Sequence, residues 1–116
     1  MHERELTDEL AQPGGLVVRA TTESDALQLS LYGELDLASS HVLERKVQMA
    51  ESSGTPRLVL DLSGLQFLDS TGLHTLLRVQ ERWCAGGREL SLLRGPRAVQ
   101  RVFELTQATR LFTFED

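Results

Sequence analysis

Apolar and polar positions alternate along the first part of the chain. Between residues 27 and 32, three leucines share one face and polar residues share the other, which is the period-two pattern of a half-buried strand. A second strand is predicted over residues 16–21, and the polar link Thr22–Asp25 between the two predicts a hairpin. Residues 1–15 are polar and end in Pro13-Gly14-Gly15, so we expect a flexible N-terminal arm there.

The pattern then changes to helical spacing. Apolar residues recur every three to four positions up to Ser52 and predict a helix that ends there. Its first residue stays open, because Asp36, Ser39 and Ser40 are each able to cap it. The run 58–62 is almost entirely apolar, as is typical of a strand buried on both faces of a parallel sheet.

The second half of the chain repeats this alternation. The sequence predicts a helix over residues 71–85, a strand over 90–93, a third helix that starts near Pro96, and an edge strand over 111–114. The predicted order is β-β-α-β-α-β-α-β. This order indicates an α/β fold in which helices pack against a mixed β-sheet, as a single domain over residues 16–116.

One serine lies at the junction between the apolar strand and the second helix. The turn Asp69-Ser70-Thr71-Gly72 places the hydroxyl of Ser70 at the start of the helix. There, free backbone N–H groups and the helix dipole favour an anion such as a phosphoryl group. Ser70 is also able to cap the helix. No catalytic base, metal cluster or cofactor loop accompanies it in the sequence, so we interpret its hydroxyl as a group that is acted upon.

Acidic residues are expected to lie beside this serine. Glu34 and Asp36 follow the second strand as the Ser70 turn follows the third, and functional surfaces of such sheets lie beyond the carboxyl ends of strands. Asp69 either orients the hydroxyl, contacts a partner, or accepts helix N–H bonds. Gly72 is expected to leave the turn open to the backbone of a partner.

The first turns of the second helix supply further candidates. Thr71 is a second candidate acceptor of phosphate, or an ordinary residue of a first helical turn. His74 and Thr75 are predicted to face outward beside Ser70, while Leu73 and Leu76 are predicted to face the core.

Composition narrows the classes of function. A formal net charge of -5 argues against nucleic acid as a partner. The apolar runs are too short for membrane insertion, and the polar start is unlike a secretory signal, so the cytoplasm is the expected compartment. The single cysteine, Cys84, excludes an intrachain disulfide and a cysteine cluster for zinc, and we expect it to be a core thiol.

Catalysis is disfavoured by what surrounds Ser70. The chain lacks a Gly-x-Ser-x-Gly nucleophile elbow. Its last histidine is His74, so an acid and a histidine do not follow Ser70 in the order that a serine hydrolase requires. A phosphoaspartate receiver domain is a stronger alternative, with Asp61 at the end of a central strand as the acceptor. Receivers, however, carry an acidic pair after the first strand and a lysine near a later strand. Here the only lysine, Lys46, falls inside the first helix. We expect neither an enzyme nor a cofactor or metal.

Two segments resemble a known family. Leu60–Leu73, with its Asp-Ser-Thr-Gly turn, closely resembles the phosphorylation segment of the STAS family, which is named for sulfate transporters and anti-sigma-factor antagonists. Gly33-Glu34-Leu35-Asp36 resembles a second recurring segment of that family. The order of elements over about residues 16–114 is also similar.

The resemblance implies a function and partners. A free-standing domain of this kind is usually an anti-sigma-factor antagonist. In its unphosphorylated form it binds an anti-sigma factor that is also a serine kinase of the GHKL fold, and this frees the sigma factor. The kinase phosphorylates the serine that corresponds to Ser70 and releases the antagonist, and a serine phosphatase resets it. The family also includes non-enzymatic subunits of stress-sensing assemblies and of ABC-type lipid transporters.

The sequence departs from many relatives at its end. They continue into another helix, whereas this chain stops at Asp116. They also often carry a Thr-Gly-Leu-like step where this chain has Thr106-Gln107-Ala108.

Overall fold

The elements of the computed structural model, which describes residues 15–115, follow the predicted order. They are β1 (Leu16–Glu23), β2 (Ala26–Leu35), α1 (Ser40–Ser52), β3 (Arg57–Leu68), α2 (Ser70–Ala85), β4 (Glu89–Leu93), α3 (Arg97–Leu105) and β5 (Phe114–Glu115). The predicted fold class is thus confirmed. The predicted N-terminal arm lies outside the described residues except for Gly15. Across residues 15–115, none of the helices combines the length and apolarity needed to cross a bilayer.

A five-stranded mixed sheet organises the domain. Its strands lie side by side in the order β1-β2-β3-β4-β5. β1 is antiparallel to β2 through the predicted hairpin, and the three remaining pairs are parallel. Parallel pairing requires a crossover between successive strands, and the helices provide it.

The three helices within residues 15–115 pack against the same face of the sheet. Leu60 and Leu62 of β3 join buried residues of each helix in one core, among them Leu43, Leu76 and Phe103. Val59, between these strand positions, is buried but lies outside that core, and Asp61 is half-buried. The predicted burial of β3 on both faces is confirmed at Leu58, Val59 and Leu60. Within the described residues, the second face of the sheet carries no helix.

The two central strands are longer than predicted. β2 extends to Leu35 and β3 to Leu68, well beyond the predicted ends at residues 32 and 62. Two register irregularities interrupt their pairing. Such bulges break the period-two pattern, so that Leu62 and Leu65 both reach the core although they are three residues apart.

Three phenylalanine side chains pack together beside β5. The ring of Phe103 meets those of Phe112 and Phe114 edge-on, with centroids 5.4 and 5.3 Å apart. The last strand begins at Phe114 rather than at residue 111, because Thr109–Leu111 form a short 3-10 turn. This turn lets Phe112 reach the core before the chain pairs with β4.

The inward face of α2 is set by its tryptophan. Trp83 is fully buried, and its indole N–H donates to the carbonyl of Glu89 over 2.8 Å. Cys84, one residue further round the helix, is exposed. The prediction of a core thiol is wrong because a rotation of about 100° per residue turns Cys84 away from the sheet.

Gly33 allows the chain before β1 to pass close to β2. Its φ is +102°, and a Cβ at this position would lie 2.2 Å from the carbonyl oxygen of Gly15.

A substitution tests this close approach. Gly33→Ala is expected to lower the free energy of unfolding by about 2 kcal/mol more than Gly54→Ala does, because the added Cβ meets the carbonyl oxygen of Gly15. Gly54 is the matched control, because it also has a positive φ, +79°, but has open space around it. Urea denaturation of both variants tests this, and equal losses would contradict it.

Candidate functional site

The pairing of β2 with β3 brings the two predicted site segments together. Leu35 and Leu68 are register partners at the ends of these parallel strands, and neighbouring strands lie about 4.8 Å apart. Asp36 and Asp69 follow directly. The two turns therefore emerge side by side at one edge of the sheet, as the sequence predicted.

Gly72 fixes the approach of α2 to this edge. It is buried, and a Cβ at this position would lie 2.2 Å from the carbonyl oxygen of Leu35. The first turn of α2 thus rests directly on the end of β2. The expectation that Gly72 leaves room for a partner is wrong, since the space that it leaves is filled from within the domain.

Asp69 is the N-cap residue of α2. Its backbone is extended, and its Oδ1 accepts a hydrogen bond from the N–H of Gly72 at 2.8 Å. Of the alternatives weighed for Asp69, the structure therefore shows the bond to a helix N–H. The alternative role of Ser70 as the helix cap is not observed, because Ser70 is already the first residue of α2.

Ser70 is left available by this arrangement. It is exposed, and no other residue of the described chain takes up its hydroxyl in a hydrogen bond. The positive end of the α2 dipole lies at this position, where backbone N–H groups lack partners within the helix. The site is thus open to an enzyme and able to accommodate added negative charge.

The neighbouring turn, after β2, is held by reciprocal hydrogen bonds. The N–H of Ser39 donates to Asp36 Oδ1 over 3.1 Å, and the N–H of Asp36 donates to Ser39 Oγ over 3.0 Å. The Ser39 hydroxyl also donates to the carbonyl of Glu34 over 2.7 Å. This arrangement has the reciprocity of a capping box. In this box Asp36 occupies the capping position of the turn, and α1 itself begins at Ser40, with Ser39 as an N-cap residue whose side chain makes no capping bond to the helix.

Thr75 connects the two helices instead of facing a partner. It is fully buried, and its hydroxyl donates to Ser40 Oγ over 2.9 Å. Ser40 in turn donates to the carbonyl of Asp36 over 2.7 Å. The prediction that Thr75 faces outward is wrong, because α2 is rotated so that Thr75 lies against α1. Sequence spacing alone gave no signal for this buried chain of hydroxyls.

The other predicted residues lie at the surface of the same edge. His74 is exposed, while Thr71, Glu34 and Asp36 are half-buried. Two further residues, which the sequence did not single out, also lie here: Leu37 is 78% exposed and Phe67 is 46% exposed.

The acidic residues of this edge do not form a metal site. Within residues 15–115, no group of three or more His, Cys, Asp or Glu side chains is arranged to hold a metal ion. The chemistry that the edge offers is an accessible hydroxyl beside carboxylates.

Comparison with known proteins identifies the family. The sequence profile described as "Mlab, STAS domain" matches residues 18–113. The chain belongs to the STAS domain family. It is 30% identical over 73 residues to the anti-sigma-F factor antagonist RsfB of Mycobacterium tuberculosis, a match that covers 63% of this chain and 60% of RsfB. The chain thus spans less than two thirds of that relative.

Solved structures share the fold. An anti-sigma factor antagonist from Mycobacterium paratuberculosis superposes with a TM-score of 0.80 at 24% identity, covering 89% of this chain and 87% of that one. The antagonist SpoIIAA in its unphosphorylated form gives 0.71 at 19% identity, over 86% of this chain and 89% of that one. Bacillus SpoIIAA in its phosphorylated form gives 0.65 at 19% identity, over 86% and 92%.

The capping role of Asp69 is open to a direct test. Asp69→Ala is expected to lower the free energy of unfolding by about 1 kcal/mol, because Gly72 N–H loses its acceptor. Asp69→Asn keeps an acceptor oxygen without the charge, so it is expected to stay within a few tenths of a kcal/mol of the wild type. Urea denaturation measures both. Equal destabilisation by the two substitutions would show that the charge, and not the hydrogen bond, stabilises this turn.

Proposed function

We propose that this STAS domain is a cytoplasmic anti-sigma-factor antagonist that is switched by phosphorylation of Ser70. Unmodified, it binds an anti-sigma factor that is a serine kinase of the GHKL fold, and thereby frees the sigma factor. Phosphorylation of Ser70 releases it, and a serine phosphatase restores the binding form. The observation that carries this proposal is the exposed Ser70 at the first position of α2, with the cap supplied by Asp69.

Local chemistry supports Ser70 as the acceptor. The residue that receives phosphate needs an accessible hydroxyl and surroundings that tolerate the product. Ser70 is exposed, and the positive end of the helix dipole stabilises a negative group there by about 0.3–1 kcal/mol at low ionic strength. The capping bond from Gly72 to Asp69 does not involve Ser70, so the phosphorylated turn keeps its hydrogen bonds.

The same modification is costly in an interface. A phosphoryl group adds a charge of about -1.5 to -2, and it would do so beside the carboxylates of Asp36 and Asp69. A partner that packs over this edge would have to desolvate that charge, at a cost of several kcal/mol unless it is paired. Release therefore follows from charge and bulk at the interface, without a change of fold.

The surface residues of the edge fit the role of partner contacts. Glu34 and Asp36 supply negative charge, and Thr71 and His74 lie within one turn of Ser70 along α2. A partner that matches them presents cations. In this proposal the domain catalyses nothing itself: Ser70 Oγ attacks the γ-phosphorus of the ATP held by the kinase, ADP leaves, and the hydroxyl proton passes to the kinase.

Phosphate transfer tests the acceptor. Incubation of the chain with a GHKL-type anti-sigma kinase from its source organism and ATP is expected to add one phosphoryl group, which tandem mass spectrometry should locate on Ser70. Ser70→Ala is expected to take up none, even though Thr71 remains as an alternative acceptor. Phosphate on Thr71 alone, or on Asp61 as a base-labile acyl phosphate, would contradict the proposal.

Binding tests the switch. Ser70→Ala is expected to bind the same kinase about as tightly as the wild type, because it removes a hydroxyl that has no partner within the domain. Ser70→Asp is expected to bind at least about a hundredfold more weakly, since an unpaired, desolvated charge costs several kcal/mol. Isothermal titration calorimetry measures both. Equal affinities would show that the turn lies outside the interface. Capture of an ABC-type ATPase in place of the kinase would favour the transporter-subunit role.

A further inference from the structure

Exposed apolar side chains are concentrated at the end of the sheet that carries Ser70. Six large hydrophobic residues of the described chain are exposed, and three of them belong to β2, β3 or the turn after β2. These are Tyr32, Leu37 and Phe67, at 40%, 78% and 46% exposure; we refer to them as the anchor surface. The other three, Met49, Leu105 and Leu111, lie on α1, at the end of α3 and in the 3-10 turn.

Strand register brings the two aromatic residues together. Leu35 and Leu68 face the core, so the residues before them face the opposite side of the sheet. These are Glu34 and Phe67, which are register partners. Tyr32 precedes Glu34 by two residues and thus lies on the same side. The anchor surface therefore continues from the Ser70 edge onto the face of the sheet opposite α1, α2 and α3.

Tyr32 is held in place by its neighbours. Its ring lies over Gly64, where a Cβ would come within 2.4 Å of the ring. Arg19 lies on the neighbouring strand β1, and its guanidinium is 5.4 Å from the centroid of the Tyr32 ring. This distance is within the range of a cation–π interaction. The ring consequently presents a defined surface.

Leu37 is presented by a rigid turn. The hydrogen bonds that link Asp36, Ser39 and the carbonyl of Glu34 close the turn around it. A leucine exposed on a constrained turn loses little conformational entropy when a partner covers it. Exposed apolar side chains grouped at one end of a domain are typical of interaction sites.

We propose that the anchor surface inserts into an apolar pocket of the anti-sigma factor and that cationic side chains line the rim of this pocket. This inference rests on the proposed function and adds the residues that supply affinity. Glu34, Asp36 and Asp69 lie among the apolar side chains, so an apolar pocket with cations at its rim complements both features. An interface of ordinary size covers about 800 Å² on each partner, more than one helical turn provides. The partner therefore extends from Ser70 over the exposed side chains of Leu37, Phe67 and Tyr32.

Matched substitutions test the anchor surface. Leu37→Ser and Phe67→Ser each remove apolar area beside Ser70, whereas Met49→Ser and Leu105→Ser remove similarly exposed apolar area elsewhere. Apolar anchors near the centre of an interface typically cost more than 1–2 kcal/mol when truncated. Leu37→Ser and Phe67→Ser are therefore expected to weaken binding of the purified anti-sigma kinase by at least about tenfold. The two control variants are expected to bind within about twofold of the wild type. Circular dichroism and urea denaturation establish that each variant is folded.

The outcomes separate this inference from the proposed function. Leu37 is mostly exposed and packs little, so its variant remains informative if Phe67→Ser fails to fold. One outcome is that the wild type binds, Ser70→Asp does not, and Leu37→Ser binds like the wild type. This result would overturn the anchor surface and leave the proposed function standing. Equal weakening by Leu37→Ser and Leu105→Ser would also overturn it. No binding by the unmodified wild type to any GHKL-type anti-sigma factor of its organism would overturn both.

Discussion

The parallel pairing of β2 with β3 is the constraint on which the rest of the site depends. Its last register pair, Leu35 with Leu68, ends both strands at the same level. Two turns that lie more than thirty residues apart in the chain consequently emerge side by side. The contact of Gly72 with the end of β2 and the buried link from Thr75 to Ser40 then fix both helices relative to that edge. Were this register to slip by one residue, the aligned turns and the core-facing side chains would be lost together.

The two turns illustrate how backbone donors at helix starts can be satisfied while a hydroxyl is left free. Asp69 accepts from the first turn of α2, and Asp36 exchanges bonds with Ser39 before α1. Both acids thus contribute to the local structure of the edge as well as to its charge. Ser70, which lies between Asp69 and the rest of α2, has no such structural task.

Much of this arrangement could be predicted from the sequence because it depends on periodicity and strand order. Helical spacing predicted the end of α1 and both ends of α2 nearly to the residue, and the alternation of strands with helices predicted the parallel pairing in the sheet. The ends of β2 and β3 could not be predicted, since bulges shift the face of every later side chain. The rotation of α2 about its own axis relative to the sheet could not be predicted from the sequence either. This rotation determines that Thr75 is buried and Cys84 is exposed. The exposure of Phe67 depends on which face the helices leave uncovered, which is a property of the whole chain.

The separation of the Asp69 cap from the hydroxyl of Ser70 has a consequence for the lifetime of the protein. Degradation of a folded domain commonly follows the population of its opened form, and hence its free energy of unfolding. A phosphoryl group on Ser70 would remove no capping bond and disturb no core contact, so the phosphorylated form would open no more often than the unmodified one. The protein would then survive at least as long after phosphorylation as before it, and a cell could reverse the modification repeatedly on the same molecules without new synthesis.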